Sequence, residues 1–144
     1  MITLRPTAKE ELELLISFEA ESDVRDFITP YSQAQHAACF DDESIHYLSI
    51  VEDEEVVGFF LLCIEGDTAE FRRVVVTSSA RGIGKIAIEA MHKFCTMKLG
   101  VVRIWLDVFE HNQRARHVYT QLGYEVFGRK TIDGRVLLLM EKDI

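Results

Sequence analysis

The run Glu70-Phe-Arg-Arg-Val-Val-Val-Thr-Ser-Ser-Ala-Arg-Gly-Ile-Gly-Lys85 carries the densest chemical signal in the chain. Its branched residues read as a strand that feeds a glycine turn, and the turn opens a helix. Gly82 and Gly84 let the backbone approach a ligand closely, while the N–H groups and dipole of a helix start favour an anion. Arg81 and Lys85 add positive charge there. The same glycines would also serve a tight turn for its own geometry, but the strand before them and the flanking bases favour an anion cradle. A nucleoside triphosphate loop would place Ser or Thr after its Gly-Lys, whereas Ile86 follows Lys85. A dinucleotide fold would need a third glycine near its first strand and an acid about 20 residues further on. Neither pattern fits.

Other reactive side chains are less organised. Cys39 and Cys95 follow His36 and His92 by three residues, so each pair shares a helical face, but a metal needs more converging ligands and none is expected. Cys63 lies in an apolar run and reads as core. An odd number of cysteines implies reduced thiols. Trp105 and Asp107 neighbour Leu106 and Val108 and read as strand packing, and His46, His111 and His117 read as surface or satisfied core residues. Glu19, Glu21, Asp23 and Asp26 cluster with Phe27 and Tyr31 between two helical patterns.

The elements that must hold these groups follow from periodicity. Ile2 to Arg5 predicts a short strand. Thr7 with Glu10 reads as a capping box for a helix carrying Ala8, Leu12, Leu15 and Ile16 on one face. A shorter helix is predicted over Gln33 to Phe40. Ile45 to Val51 and Val56 to Ile64 form a hairpin, and Gly66-Asp67 turns the chain into a third strand, Ala69 to Thr77. From Ile83 the period becomes helical, through Ile86, Ala87, Ala90, Met91, Phe94, Cys95 and Leu99, with Gly100 as the stop. Val102 to Val108 is again a strand. Asn112 caps a last helix that Gly123 ends, and Asp133-Gly134 joins Tyr124 to Ile132 with Val136 to Glu141 as a hairpin.

This order resembles the Gcn5-related N-acetyltransferase superfamily along essentially the whole chain, residues 1–144 as a single domain. Ser79-Ala-Arg-Gly-Ile-Gly84 is similar to its coenzyme A loop, with Ser79 where Gln or Arg is usual. Asn112, Ala115, Tyr119 and Gly123-Tyr124 match its second signature. The resemblance implies an α/β fold (α+β mixed): a mixed, mostly antiparallel sheet of about seven strands, splayed between the fourth and fifth, with about four helices on its faces. It implies acetyl-coenzyme A as co-substrate, bound by Val74, Val75 and Val76 of the fourth strand, by Arg81, Gly82, Ile83, Gly84 and Lys85 of the loop, and by Asn112, Ala115 and Tyr119.

The resemblance also implies roles. A backbone N–H of the fourth strand would stabilise charge on the thioester oxygen. Tyr119 would protonate the departing thiolate, and Glu70, directly or through water, would take the amine proton. Arg72 lies on the same strand face as Glu70 and competes for it. Phe27, Tyr31 and Arg72 would line the acceptor site. Transfer is direct, with no acyl-cysteine and no metal. The acceptor is a primary amine: a protein N-terminus, a lysine or a small amine. A homodimer accords with the family. The alternatives are a non-catalytic acyl-coenzyme A sensor or scaffold, motivated by Ser79 and a compromised Glu70, and, more weakly, a nucleotide-binding protein.

The bulk properties agree. The formal charge of −8 disfavours nucleic acid and anionic lipid as partners and favours amines. No apolar run approaches the ~20 residues of a membrane helix, and the start lacks a secretion signal, so a cytoplasmic location is expected.

Overall fold

Phe59, Phe60, Leu61 and Leu62 are consecutive and all fully buried. A strand, whose side chains alternate between faces, buries such a run only if both faces are covered. The computed structural model, which describes residues 1–21, 30–77 and 82–144, places them at the centre of a seven-stranded sheet. The elements run β1 (Ile2–Pro6), α1 (Leu12–Glu19), α2 (Gln33–Asp41), β2 (Ile45–Glu52), β3 (Glu55–Glu65) and β4 (Thr68–Val76). They continue with α3 (Gly84–Lys98), β5 (Arg103–Phe109), α4 (Gln113–Gln121), β6 (Glu125–Ile132) and β7 (Arg135–Asp143). The sheet order is β1-β2-β3-β4-β5-β7-β6. Every pair is antiparallel except β4–β5, which α3 connects as a crossover. This is the mixed fold expected, with four α-helices among the described residues.

One face packs α3 and α4 through Ala87, Ile88, Met91, Cys95 and Leu122 onto Phe60, Leu62, Phe71, Ile104 and Leu106. The other packs α1 and α2 through Leu15, Phe18 and Phe40 onto Tyr47, Phe59, Leu61 and Val75. Ala69 and Phe71 face α3, but so do Val74 and Val76, so the alternation slips within β4. The register explains it: Leu62 stands opposite Phe71 and Leu61 opposite Arg73, which leaves Arg72 as the extra residue of a β-bulge. Arg73 is thereby turned to the α1–α2 face.

Local capping departs from expectation at one end. Thr7 does not cap a helix; its Oγ1 lies 2.8 Å from Ser49 Oγ in the buried interface. A 3-10 turn over Lys9–Glu11 comes first, so Glu11 rather than Glu10 accepts from the Ala8 N–H at 3.0 Å. Arg5 fixes Glu11 through two hydrogen bonds of 2.7 Å. At α2 the reciprocal box does form: Ser32 Oγ accepts from the Gln35 N–H at 3.1 Å and Gln35 Oε1 from the Ser32 N–H at 2.7 Å.

Candidate active site

β4 and β5 share three rungs, Thr68 with Arg103, Ala69 with Ile104 and Glu70 with Trp105, and then part. Both strands continue, to Val76 and Phe109. The gap becomes a cleft of about 760 Å³. Val74, Val75 and Val76 line its β4 side, and Asp107, Val108 and Phe109 its β5 side. Beyond Glu70 the β4 backbone groups aimed toward β5 have no strand partner there, a row of donors and acceptors facing the cleft.

At one end the cleft reaches Gly82, Gly84 and Lys85, where α3 begins. Gly82 has φ +91°, a conformation other residues rarely adopt, and a Cβ at either glycine would meet nothing within 4 Å among the described residues. The glycines therefore leave room rather than relieve a clash within the protein. Ile83 between them is buried and pins the loop to the core. Lys85, Arg114 and Arg135 bring positive charge to a chain whose net charge is −8. Open backbone, a helix start and cations fit a ligand with a phosphate-bearing end and an amide-bearing arm, as coenzyme A has. Ser79 and Arg81 lie outside the described residues.

At the other wall, α4 presents Asn112, Ala115 and Tyr119 to the same space. Asn112 Oδ1 accepts from the Ala115 N–H at 3.2 Å, so it caps the helix while it lines the cleft. The Tyr119 ring stands edge-on to Phe71, centroids 5.9 Å apart, and tilted to Tyr124 at 5.7 Å. Burial, with a smaller contribution from the Asp107 charge, pushes its phenol up to about 12. Tyr119 therefore keeps its proton throughout the neutral range.

The two strand carboxylates separate. Glu70 does not line the cleft; its Oε1 accepts from Arg72 Nε at 3.0 Å. Asp107, read from sequence as packing, is a cleft wall residue and pairs with Lys130 Nζ at 2.9 Å. Its neighbours Ile104, Leu106 and Val108 all point into the α3 core, so alternation along β5 turns Asp107 to the opposite face. That alternation was visible in the sequence and is the signal that finds it. Arg72 lines the cleft, Tyr31 stands beside it over Arg73, and Phe27 lies outside the described residues.

Behind the β4 wall a buried polar network joins α1, α2, β2 and β4. Glu19 Oε1 accepts from His36 Nε2 at 2.5 Å, and Glu19 Oε2 from Arg73 Nη1 at 2.5 Å. His36 Nδ1 meets the Tyr47 hydroxyl at 2.6 Å. The Arg73 guanidinium lies 3.8 Å over the Tyr31 ring, whose backbone N–H also reaches Glu19. Burial alone would raise the Glu19 carboxyl, but hydrogen bonds from His36 and Arg73 and the guanidinium charge hold it below its usual value. Glu19 is thus committed inside the protein, and His36 has both ring nitrogens engaged. His92 bonds the Tyr124 hydroxyl at 2.8 Å instead of pairing with Cys95. Among the described residues no three metal-ligating side chains converge. The Cys95 thiol is buried and pushed up to about 12, which keeps it inert.

Comparison with known proteins agrees with this geometry. The family model described as "Acetyltransferase (GNAT) family" matches residues 11–124. An uncharacterized N-acetyltransferase of Mycobacterium tuberculosis is 31% identical over 104 residues, 69% of this chain and 65% of that protein. The chain thus spans about two thirds of the length of these mycobacterial relatives. The peptidyl-lysine N-acetyltransferase YjaB of Salmonella typhimurium is 30% identical over 138 residues, 92% of this chain and 90% of that one. In fold, the chain superimposes with a TM-score of 0.84 on an aminoglycoside acetyltransferase in complex with coenzyme A and kanamycin, at 18% identity over 99% of this chain and 95% of the other. The spermidine N-acetyltransferase of Vibrio cholerae in complex with coenzyme A and spermine gives the same TM-score of 0.84, at 17% identity and the same coverage of 99% and 95%. The family model covers most of the chain, from α1 to the end of α4, and the Salmonella relative covers nearly all of it, so the chain belongs to the acetyltransferase (GNAT) family.

Proposed function

We propose that the chain is an acetyl-coenzyme A-dependent N-acetyltransferase that moves the acetyl group directly to a primary amine. The observation that carries this reading is the parting of β4 and β5 after Glu70 and Trp105, which opens a cleft running from the glycine loop to Tyr119. Acetyl-coenzyme A would supply a thioester whose carbonyl is open to amine attack, with coenzyme A leaving as the thiol. The loop backbone of Gly82 and Gly84, with Lys85, binds the phosphate-bearing end. The free edge of Val74–Val76 orients the arm, and a backbone N–H there stabilises negative charge at the thioester oxygen. Asn112 and Ala115 close the opposite side.

A protonated amine cannot attack, so a base must take its proton. Each carboxylate pairs with a cation, Asp107 with Lys130 and Glu70 with Arg72, but only Asp107 lies in the cleft wall. Asp107 therefore suits direct transfer, and Glu70 acts only through water. Tyr119 donates a hydrogen bond to the leaving sulfur. Burial pushes its phenol up to about 12, above an ordinary thiol, so complete proton transfer to the thiolate is uphill. Its contribution is greatest as a donor that strengthens while the bond breaks.

The acceptor class is a primary amine, of which a lysine side chain is the case suggested by the Salmonella relative. A cytoplasmic setting and a homodimer complete the proposal. Among the described residues no helix is long and apolar enough to cross a membrane. The test is calorimetric titration with coenzyme A followed by thiol release from acetyl-coenzyme A with peptides, polyamines and amino sugars. Binding with amine-dependent release is the expected result. Binding with silence toward every amine would favour a sensor or scaffold, a reading that rests on the Glu70–Arg72 pair, and no binding would remove both.

A further inference from the structure

Lys130 is not a wall residue of the cleft, yet its amine is held by one. In the sheet register Phe109 stands opposite Leu137 and Leu137 opposite Lys130, so the three share a face, and Asp107, two residues before Phe109, shares it as well. This is the face turned away from α3, and Asp107, Phe109 and Leu137 all line the cleft. The Lys130 side chain crosses β7 along this face and sets Nζ 2.9 Å from Asp107 Oδ2. Tyr119 lines the same cleft, near enough for the Asp107 charge to act on its phenol. A general base must stand within about 2.6–3.2 Å of the group whose proton it takes. The chain thus already holds a primary amine in that relation to the carboxylate assigned as the base, on a long side chain that is 41% exposed.

We infer that Lys130 is an acetyl acceptor within the chain: the protein transfers the acetyl group of acetyl-coenzyme A to its own Lys130 Nζ. The inference rests on the acetyltransferase reading with Asp107 as the base, and it adds a modification site to that cleft. Asp107 takes one proton from the ammonium, and the freed amine attacks the thioester carbonyl. The N–C bond forms and the C–S bond breaks. The second amine proton passes to water, and the thiolate, which receives the Tyr119 hydrogen bond, takes up one proton. In sum, acetyl-coenzyme A and an ammonium give an amide, a thiol and one proton. Unassisted acetylation would not single out Lys130 from exposed lysines away from the cleft, such as Lys9 and Lys98.

The experiment incubates the full chain with acetyl-coenzyme A and no added amine, and follows acetylation at each lysine by peptide mass mapping. Lys130 should be acetylated at least about fivefold faster than Lys9 or Lys98, at a rate per molecule that does not change with protein concentration, as intramolecular delivery requires. Acetic anhydride without coenzyme A supplies the baseline and should show no such preference. Asp107→Asn should bring Lys130 to the rate of the other lysines while calorimetry still shows coenzyme A binding. Lys130→Arg keeps a cation on Asp107 and should remove the fast event without moving it to another lysine. Thermal unfolding checks that both variants fold, and the wild-type ratio with its concentration independence decides the question if either does not. A Lys130 rate short of that margin, an equal preference with the anhydride, a rate that rises with protein concentration, or a preference that survives Asp107→Asn would overturn the inference. So would acetylation of an added amine with Lys130 untouched, which leaves the parent reading standing. Absence of coenzyme A binding is the distinct failure of that reading and takes this one with it.

Discussion

Glu70 stands opposite Trp105 in the last parallel rung between β4 and β5, and the cleft begins where that pairing ends. Below the rung the β4 backbone is satisfied by strands on both sides; above it only β3 is bonded, through Val74 with Phe60, Val75 with Phe59 and Val76 with Gly58. Ligand bonding to the free edge should slow amide hydrogen exchange at one or more of Val74–Val76 by at least about tenfold at saturating coenzyme A, and leave Ala69 and Glu70 unchanged. Uniform slowing of the whole strand would instead indicate global stabilisation without a contact at the cleft.

Replacing Tyr119 by Phe keeps the ring that packs on Phe71 and removes the donor. Turnover should fall by about 10²-fold while the acetyl-coenzyme A KM stays within about twofold. Because the phenol lies near 12, no alkaline loss of kcat below about pH 10 should trace to Tyr119. An unchanged kcat in Tyr119→Phe would remove it from the chemistry.

The two carboxylates make opposite predictions. Asp107→Asn should lower kcat/KM at neutral pH by about 10²-fold and recover as rising pH deprotonates the free amine. Glu70→Gln should cost less than about threefold, since Glu70 does not line the cleft. The reverse order in steady-state pH profiles would assign the proton to Glu70.

Acid should weaken the fold in two windows. Burial, with the Lys142 charge, pushes His92 down to about 4, so it bonds Tyr124 as the neutral ring. The unfolded chain binds this proton below about pH 6.5 but the folded chain only near 4, so the stability is complete above 6.5 and is lost as pH falls toward 4. The loss is about 2–3 kcal/mol, below the roughly 3.4 kcal/mol of the full shift because solvent screens a ring that is only partly buried. Glu19, held below its usual value, adds stability that is complete above about 4.3 and disappears as pH falls further. Urea unfolding at pH 7 and pH 4.5 should show the first step in the wild type and not in His92→Phe.

Two glycines separate folding from binding. A Cβ at Gly58 would sit 2.2 Å from the Val75 carbonyl oxygen, a backbone atom that cannot move aside without breaking β3–β4 pairing. Gly58→Ala should destabilise by about 2–4 kcal/mol in urea titration. At Gly84 the Cβ meets nothing among the described residues, so Gly84→Ala should leave stability within about 1 kcal/mol and weaken coenzyme A binding by filling the cradle.

Element order, the α3 stripe, the Asn112 cap and the Asp133-Gly134 hairpin were legible because each depends on residues a few positions apart, through helical or strand period and through turn chemistry. The glycine loop and the α4 signature were legible for the same reason. Where the chain must satisfy distant partners, sequence alone was silent. Thr7 has the composition of a cap but meets Ser49, and Glu19 has the composition of an exposed acid but lies under Arg73 and His36. Arg73 reaches them only because a bulge at Arg72 shifts the side-chain parity of β4, and no local pattern marks the extra residue. Asp107 faces the cleft because β5 leaves β4 after three rungs. Local sequence determined the glycine turn at the start of α3 and the cap of α4, whereas register, bulge and burial, which are sums over distant contacts, decided which charged groups line the cleft and which lie behind it.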